Sequence, residues 1–484
     1  MKICADIKIS YNEQETHMKK LFTKLALSSS ALLVAASIAG PAASQGQAVS
    51  YKDQAKLHAI ATAPSAENLR KDVQTLVDFG TRHTLSETES ETQGIGAARR
   101  WIFAEFERIS AACGGCLEVY YSTGVIEGEA RIPEATEVVS VVAIQRGKTD
   151  PERYVLMAGD IDSRVTDVMD STSISPGAND NASGLAGTIE AARVLSQYEF
   201  NGSIVYAALA GEEQGLFGGQ ILAKQALEEN WRLHAVLNND MIANIAGING
   251  VIDNTTARVF AEGTRQNETA ADARARRFTG GEVDSPSRNL GRYISWMADR
   301  YIQNLDVMLV YRLDRFGRGG HHRPFNDVGY PGVRIMETNE HYDRQHQDLR
   351  NEDGRHFGDT IEFMDFDYAA KLTALNAVTL ASMAWAPAPP SEVEIRGAVQ
   401  PHTTLRWAEA SEQEKDIIAG YRIYWRYTDA PNWQFSRDVG NVTEFTLENV
   451  VIDNYFFGVS SVSKDGFESP VVFPGAAGTF DLRQ

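Results

Sequence analysis

The chain has 484 residues, of which 43% are hydrophobic and 23% are charged, and its formal net charge is −19. This length exceeds that of one ordinary domain, so two folded domains are expected. An acidic chain repels nucleic acid and anionic membrane surfaces, so we exclude both as partners. The charge is typical of an exported protein that has to stay soluble.

Residues 1–43 predict an export signal that follows a short polar extension. The segment Met18-Lys-Lys-Leu-Phe-Thr-Lys24 is basic, residues 25–39 are apolar, and residues 40–48 are rich in small side chains. This order is that of a secretory signal peptide, and its apolar part is too short to span a bilayer comfortably. We expect the natural start to be Met18. The mature protein is expected to be periplasmic or extracellular, without a transmembrane segment.

Helix and strand patterns alternate along residues 44–385, which we assign to one α/β domain. Helices are expected at residues 67–79, 94–109, 183–195, 215–227, 285–305 and 368–383. Strands are expected at residues 138–144, 154–157, 204–209, 235–237 and 332–336. The run 204–209 is apolar throughout, as in a strand buried on both faces. The alternation predicts a three-layer α/β/α fold around a mostly parallel mixed sheet.

A second, smaller domain is expected over residues 391–484, after the stiff Pro/Ala linker 386–390. Its β-type segments, separated by turn-rich loops, are residues 403–407, 421–427, 433–437, 444–447 and 455–462. They predict a small all-β sandwich, and the placement of its aromatic residues resembles a fibronectin type III module. It carries no catalytic constellation, so we expect an accessory module for attachment to a substrate, polymer or surface, or a spacer.

One cysteine pair, Cys113-Gly-Gly-Cys116, follows the N-terminal extension, which holds Cys4. The chain has no second pair and no thioredoxin-like context, and export favours oxidation, so a local disulfide is expected. Redox function and free thiols are the alternatives. A loop this short gains little chain entropy, so the bridge would fix a turn rather than stabilise the whole fold.

Four carboxylates lie in three short segments that follow predicted strands. The segments are Pro176-Gly-Ala-Asn-Asp180-Asn-Ala-Ser-Gly184, Gly211-Glu-Glu213-Gln-Gly-Leu-Phe-Gly218 and Asn238-Asn-Asp-Met241. Side chains at the carboxyl ends of parallel strands meet at one rim of an open sheet. Acids so close together repel one another unless cations hold them. Two divalent metals are therefore expected, together with a carboxylate that acts as base toward water.

These segments resemble peptidase family M28, whose members are di-zinc exopeptidases, with secreted bacterial aminopeptidases as the nearest comparison. The resemblance covers about residues 70–385 and includes G-x-x-D-S at 159–163 and H-x-P-F-x-x-x-G-Y-P at 322–331. It implies that Asp180 bridges two zinc ions, that Glu213 binds one of them, and that Asp240 binds the other. It further implies that Glu212 is the general base and that Asp162 supports the ligands.

Two positions depart from the family pattern. Asp160 stands where a metal-binding His is usual, and His321 stands where an Asp is usual. We expect a carboxylate–imidazole pair with exchanged ends, in which Asp160 binds metal and His321 supports it. The alternative is two unrelated changes. An additional carboxylate ligand lowers the Lewis acidity of the ion and favours harder ions such as Mn²⁺.

The last metal ligand is expected to be a histidine that follows Glu337. We favour His346, while His356, which precedes Phe-Gly-Asp-Thr360, is the alternative. His322 is expected to shape the pocket. The Arg-rich stretch 312–318 either binds a substrate carboxylate or an oxyanion, or consists of solvated arginines that pair with acids.

The sequence therefore predicts an exported metallo-exopeptidase, most simply an aminopeptidase that acts on peptides through two Zn²⁺, with Mn²⁺ or Co²⁺ as substitutes. Its metal ligands would be Asp160, Asp180, Glu213, Asp240 and His346, with Glu212 as general base. One alternative is a single-zinc enzyme similar to glutaminyl cyclase. The other is a catalytically impaired binding protein with the peptidase fold, although such a protein has no use for the base.

Overall fold

An eight-stranded mixed sheet organises the part of the chain that the computed structural model describes, residues 47–48 and 52–481. Its strands are β1 (Leu117–Ile126), β2 (Thr136–Gln145), β3 (Asp150–Asp160), β4 (Gly202–Leu209), β5 (Arg232–Asn239), β6 (Thr256–Ala261), β7 (Asp306–Val310) and β8 (Gly332–Glu337). Their order across the sheet is β1-β2-β4-β3-β5-β8-β6-β7. Strands β4, β3, β5 and β8 are parallel, so their carboxyl ends meet at one edge. The predicted signal segment 1–43 lies outside the described residues.

Helices pack against both faces of this sheet. On one face lie α1 (Ala55–Ala61), α2 (Ala66–Asp78), α3 (Gly94–Ala112), α4 (Gly184–Leu195), α7 (Pro286–Tyr301) and α9 (Phe366–Trp385). On the other face lie α5 (Phe217–Glu228) and α8 (His322–Asp327), while α6 (Ala270–Thr279) has no buried residue. Among the described helices, none has both the length and the apolar character needed to cross a bilayer. The predicted α/β/α layering is confirmed.

The central strand β4 shows why the buried strands were predictable. Alternate side chains of β4 enter the two cores, Ile204, Tyr206 and Ala208 on one face and Val205, Ala207 and Leu209 on the other. Both faces of the strand therefore demand apolar residues, and the sequence reads as one continuous apolar run. All five predicted strands of the α/β domain and all six predicted helices are present, with end points shifted by a few residues.

Three strands of the eight-stranded sheet were not predicted from the sequence, and they lie at or next to its edges. β1 is an edge strand whose exposed and buried residues are mixed, and β7, at the opposite edge, has no fully buried residue. β6 pairs with β7 and β8 and alternates in burial along its first residues. Polar residues interrupt β1 and β6, so no continuous apolar run marks these two strands in the sequence. β7 does contain an apolar run, Val307–Val310, which was not assigned to a strand.

The predicted disulfide between Cys113 and Cys116 is formed. It closes the turn between α3 and β1, where Gly114 and Gly115 have φ values of 79° and 87°. Residues with a Cβ rarely adopt this left-handed backbone, so the two glycines permit the tight turn that the bridge fixes.

The C-terminal region consists of two small sheets, as the sequence predicts. One contains β11 (Glu394–Arg396), β12 (Thr403–Arg406) and β15 (Glu444–Leu447); the other contains β13 (Ile418–Tyr427), β14 (Phe435–Gly440), β16 (Tyr455–Ser463) and the short strand Gln47–Ala48. A hairpin of β9 (Arg350–Glu352) and β10 (Arg355–Phe357) lies earlier in the chain. Leu405, Trp425 and Phe457 belong to an apolar core that the two C-terminal sheets share. The likeness to a fibronectin type III module stays a prediction.

Buried charges join the C-terminal region to the α/β part. Arg426 of β13 donates to the Asp284 carboxylate at 2.7 and 2.9 Å, and Arg292 of α7 binds the same carboxylate at 2.9 Å. Arg153 of β3 contacts Glu414 at 3.1 Å, and both side chains are at most 3% exposed. Residues 386–390, expected to be a stiff linker, are held in place, because the Arg153 guanidinium also donates to the carbonyl of residue 386 at 2.8 Å.

Candidate metal centre

The loop that carries Asp180 is held by hydrogen bonds from both sides. Asp180 lies in the irregular turn Ala178–Ser183, directly before α4. The backbone N–H groups of Asn179 and Asp180 donate to the Asp359 carboxylate at 2.9 and 2.7 Å. The Asn181 side chain donates to Asp160 Oδ2 at 2.7 Å. His356 of the segment 356–360 was the candidate from the sequence. In the structure, Asp359 is the residue of that segment that contacts the site.

Three of the five predicted ligands converge. One potential ligand atom from each of Asp180, Glu213 and His346 lies within 4.8 Å of the others. His346 Nε2 is 2.8 Å from Asp180 Oδ2 and 2.8 Å from Glu213 Oε1. Burial disfavours the charged imidazole, but the two carboxylates outweigh burial and raise the pKa of His346 to about 9. One imidazole nitrogen and two carboxylates are donors that suit zinc, so the set fits the ion that the family likeness implies.

Asp162 and Arg164 hold this cluster in place. The Asp162 carboxylate accepts the backbone N–H groups of Glu212 at 3.1 Å and Glu213 at 2.9 Å, consistent with its expected supporting role. Arg164 Nε donates to Glu213 Oε2 at 2.7 Å, and its Nη2 lies 2.6 Å from His346 Nδ1. Arg164 was not predicted as a site residue, although it directly follows the G-x-x-D-S motif.

Asp160 and His321 contact each other as expected. His321 Nδ1 lies 2.6 Å from Asp160 Oδ1, and the two side chains are 0% and 2% exposed. Burial raises the pKa of Asp160 to about 8, against the opposing hydrogen bond from Asn181. Burial also lowers the pKa of His321 to about 4. The exchanged carboxylate–imidazole pair is thus present, whereas metal binding by Asp160 stays a prediction.

Asp240 forms an ion pair with an arginine that was not predicted as a site residue. Arg334 of β8 forms an ion pair through Nη2 with Asp240 Oδ2. Asp240 Oδ1 is buried without a hydrogen-bond partner among the described residues. Burial raises the pKa of Asp240 to about 7, and the charge of Arg334 acts against this rise. An arginine in the middle of the apolar run 332–336 was the available signal in the sequence.

Neither Asp160 nor Asp240 joins the other three ligands. Within the described part of the chain, Asp180, Glu213 and His346 are the one group of His, Cys, Asp or Glu side chains placed closely enough to hold an ion. The geometry therefore separates the five predicted ligands into a converging set of three and two acids with other partners.

Glu212 is placed beside this cluster, at the start of the one-turn helix Glu212–Gly215. Burial raises the pKa of its carboxyl group well above the usual value, and the negative charges of Glu213, Asp240 and Asp160 add to this rise. A raised pKa makes a carboxylate a stronger base, which suits the predicted role.

His356 and His322, which were also considered from the sequence, lie outside the cluster. His356 is exposed on the β9–β10 hairpin, so the preference for His346 agrees with the geometry. His322 is buried and its Nε2 lies 2.9 Å from the Leu313 carbonyl oxygen, which fits the expected pocket-shaping role.

The Arg-rich stretch 312–318 pairs with acids next to the site. Arg315 donates to Glu340 at 2.9 Å, and Arg318 donates to Glu340 and to Gln345 at 3.3 Å. Gln345 in turn donates to Asp180 Oδ2 at 3.1 Å. Arg315 is largely buried. This arrangement favours arginines that pair with acids over a loop that binds a substrate carboxylate.

Comparison with known proteins agrees with this geometry. The profile of peptidase family M28 matches residues 140–364. A protein of Leptosphaeria maculans named probable zinc metalloprotease is 43% identical over 420 residues, which cover 87% of this chain and 96% of the relative. Proteins of the same name from Pyrenophora teres f. teres and Pyricularia oryzae are 40% identical over 87% and 90% of this chain, and 86% and 87% of their own lengths. These relatives are fungal rather than bacterial.

Solved structures show the same fold. A crystal structure of LapA from Legionella pneumophila has a TM-score of 0.51 and 18% identity over 69% of this chain and 78% of LapA. A second structure, of the LapA aminopeptidase, has a TM-score of 0.50 and 17% identity over 77% and 82% of the two chains. The sequence relatives extend over most of the chain and the family profile spans the candidate site. The chain belongs to peptidase family M28.

Proposed function

We propose that this protein is an exported zinc-dependent aminopeptidase that removes N-terminal residues from peptides. The observation that carries the proposal is the convergence of Asp180, Glu213 and His346 beside Glu212, at the carboxyl edge of the parallel strands. Membership of M28 and the zinc metalloprotease names of the relatives support a peptide substrate and zinc. The predicted signal segment 1–43 supports export.

The residues of the chain divide the chemical work. Asp180, Glu213 and His346 would hold a zinc ion, which would supply Lewis acidity toward a peptide carbonyl and toward water. Glu212 accepts a proton from the attacking water and returns it to the leaving amine. Asp162 fixes the backbone of Glu212 and Glu213, which keeps the base and the ligand at a constant separation.

The charges around the site support recognition of a free amine over a free carboxylate. The carboxyl groups of Glu212, Asp160 and Asp180 lie in or near the cluster, and their oxygens can accept hydrogen bonds from an ammonium group. The arginines Arg315 and Arg318, which would suit a substrate carboxylate, are engaged with Glu340. An N-terminal ammonium group is therefore the better match.

The family likeness implies two zinc ions, with Mn²⁺ or Co²⁺ as substitutes. Asp180, Glu213 and His346 would hold one of them. The C-terminal sandwich is proposed to be a fibronectin type III-like accessory module that attaches the enzyme to a substrate, polymer or surface. Its two sheets and shared apolar core support an independent role from catalysis.

The test is hydrolysis of aminoacyl anilides by the zinc-loaded protein and by Glu212→Gln. Removal of the general base is expected to lower the cleavage rate by about 10²- to 10⁴-fold, while bound zinc stays unchanged. Glu228→Gln is the matched control, because this glutamate lies on α5 with a 66% exposed side chain.

Blocked and unblocked peptides separate the alternatives. An aminopeptidase cleaves peptides with a free N-terminus and leaves N-acetylated ones intact. Cyclisation of N-terminal glutamine without cleavage would instead indicate the glutaminyl cyclase-like enzyme. Peptide binding without turnover by the zinc-loaded protein would indicate the binding protein.

A further inference from the structure

A fully buried arginine lies in β8, one of the parallel strands whose carboxyl ends meet at the site. Arg334 is the third residue of β8, all of whose residues are buried, and its side chain is 0% exposed. Removing a guanidinium from water is strongly unfavourable unless acids compensate its charge. The acids that compensate the charge of Arg334 therefore indicate its role in the site.

The guanidinium has partners other than the predicted metal ligands. Arg334 Nη1 donates to the Gly319 carbonyl at 2.6 Å and to Asp314 Oδ2 at 3.2 Å. A Cβ at position 320 would lie 3.1 Å from Nη1, so Gly320 leaves the space that the guanidinium occupies. These contacts fix the position of Arg334 without any contribution from Asp240.

The remaining contacts concern Asp240 and Asp160, the two predicted ligands that lie outside the cluster of Asp180, Glu213 and His346. Nη2 pairs with Asp240. Asp160, the second of those residues, is bound through both oxygens, by His321 at 2.6 Å and by Asn181 at 2.7 Å. The charge of Arg334 also acts on Asp160 and on Glu212.

We propose that the guanidinium group of Arg334 takes the place of one of the two metal ions, so that the enzyme holds a single zinc between Asp180, Glu213 and His346. This inference rests on the proposed function. A second ion at Asp240 Oδ1, the oxygen without a partner, would lie beside the guanidinium. Two cations in a buried region repel strongly because the local dielectric constant is low.

This proposal accounts for both departures from the family pattern together with Arg334. Where no ion has to be bound, position 160 does not need a neutral imidazole. A carboxyl group at that position is instead held by His321 and Asn181, whose nitrogens contact its two oxygens. Arginine is always protonated in proteins, so this positive charge does not depend on metal supply.

The test is the number of zinc ions per chain, measured by elemental analysis after equilibration with excess zinc and removal of free metal. We expect one ion in the natural protein and none after His346→Ala. We expect two ions in the double variant Asp160→His/Arg334→Met, which restores the usual ligand and removes the guanidinium. Two ions in the natural protein would overturn the proposal, and so would a single ion in the folded double variant.

A second measurement needs no substitution near Arg334, in case the double variant does not fold. The natural protein loaded with Mn²⁺ is expected to give the six-line electron paramagnetic resonance spectrum of an isolated ion. The spectrum of an exchange-coupled pair would contradict a single-ion site.

The two proposals fail in different ways. Two zinc ions together with aminoacyl anilide cleavage would leave the aminopeptidase proposal intact and remove the role of Arg334. One zinc ion without cleavage of any peptide would keep the role of Arg334 and remove the aminopeptidase proposal. Absence of bound zinc would contradict both.

Discussion

His346 and His356 are close in the sequence, but only His346 lies at the candidate metal centre. His346 has a φ of 54°, in the left-handed region that histidine tolerates better than most residues with a Cβ. This backbone accompanies an imidazole that lies between the carboxylates of Asp180 and Glu213. His356, ten positions later, lies on an exposed hairpin. Sequence patterns favoured His346, and the fold places it among the acids.

Replacement of His346 is expected to abolish tight zinc binding. His346→Ala should weaken zinc affinity by more than about 100-fold, because losing even an outer partner of a ligand weakens binding by one to two orders of magnitude. Isothermal titration of the metal-free protein with zinc measures the change. His356→Ala is the matched control and should bind zinc as the natural protein does. Equal affinities for the two variants would show that His346 is not a ligand.

The acidic residues of the site could be predicted from the sequence, whereas their partners could not. Glu213 and Asp240 closely follow β4 and β5, and Asp180 lies in the turn before α4, so the neighbouring residues indicate a position at the rim of the sheet. Arg334 and Asp359 act on residues that are far away along the chain. Arg334 stands out as a charged residue in an apolar run, but no local pattern identifies Asp240 as its partner. The role of Asp359 likewise depends on a tertiary contact.

At the scale of elements, burial on both faces decided which strands the sequence revealed. β3, β4, β5 and β8 are apolar runs because helices cover both sides of them. These are also the parallel strands whose carboxyl ends build the site. The elements that matter most for function were therefore the most predictable, while β1, β6 and β7 escaped prediction.

The end of β6 offers a test of how burial affects stability. Burial raises the pKa of Glu262, directly after β6, to about 8, against the opposing charge of Arg265. A raised pKa means that the folded state favours the protonated carboxyl group. The contribution of Glu262 to the free energy of unfolding is fully present below pH 4.5, the pKa of the unfolded state. It is lost as the pH rises through about 8, the pKa of the folded state.

Glu262→Gln is therefore expected to stabilise the protein at alkaline pH. Thermal unfolding at pH 9 should show a gain of about 2 kcal/mol over the natural protein, since glutamine stays neutral where glutamate has to ionise. At pH 5 the two proteins should differ little. Glu91→Gln, at an exposed position, is the control and should change neither value. A gain of equal size at both pH values would contradict this explanation.

At the scale of the whole molecule, buried charge joins the two regions that the sequence separates. Asp284 is 0% exposed and binds Arg292 of the α/β part and Arg426 of the C-terminal part. The change of composition after residue 385 revealed that a second region exists. The contact itself was not predictable, because it joins residues that lie more than a hundred positions apart.

Removal of this shared carboxylate is expected to be severely destabilising. Asp284→Ala leaves two buried guanidinium groups without their common partner, which should lower the free energy of unfolding by about 3–5 kcal/mol. Urea denaturation measures the loss. Asp438→Ala, which removes a 69% exposed partner of Arg422, is the control and should lower it by less than about 1 kcal/mol. Similar losses for both variants would show that the buried pairs do not stabilise the contact.

The contact between Arg153 and Glu414 joins a strand that is synthesised early to a residue that is synthesised late. Strand β3 carries Arg153 near its start and Asp160 at its end, so one strand links the C-terminal region to the metal centre. The ribosome completes this strand long before it reaches Glu414, and chains begin to fold from the N-terminal side as they emerge. A premature stop before residue 414 would therefore release a chain that contains all the proposed metal ligands. In that chain Arg153 would lack one of the two carboxylates that neutralise it.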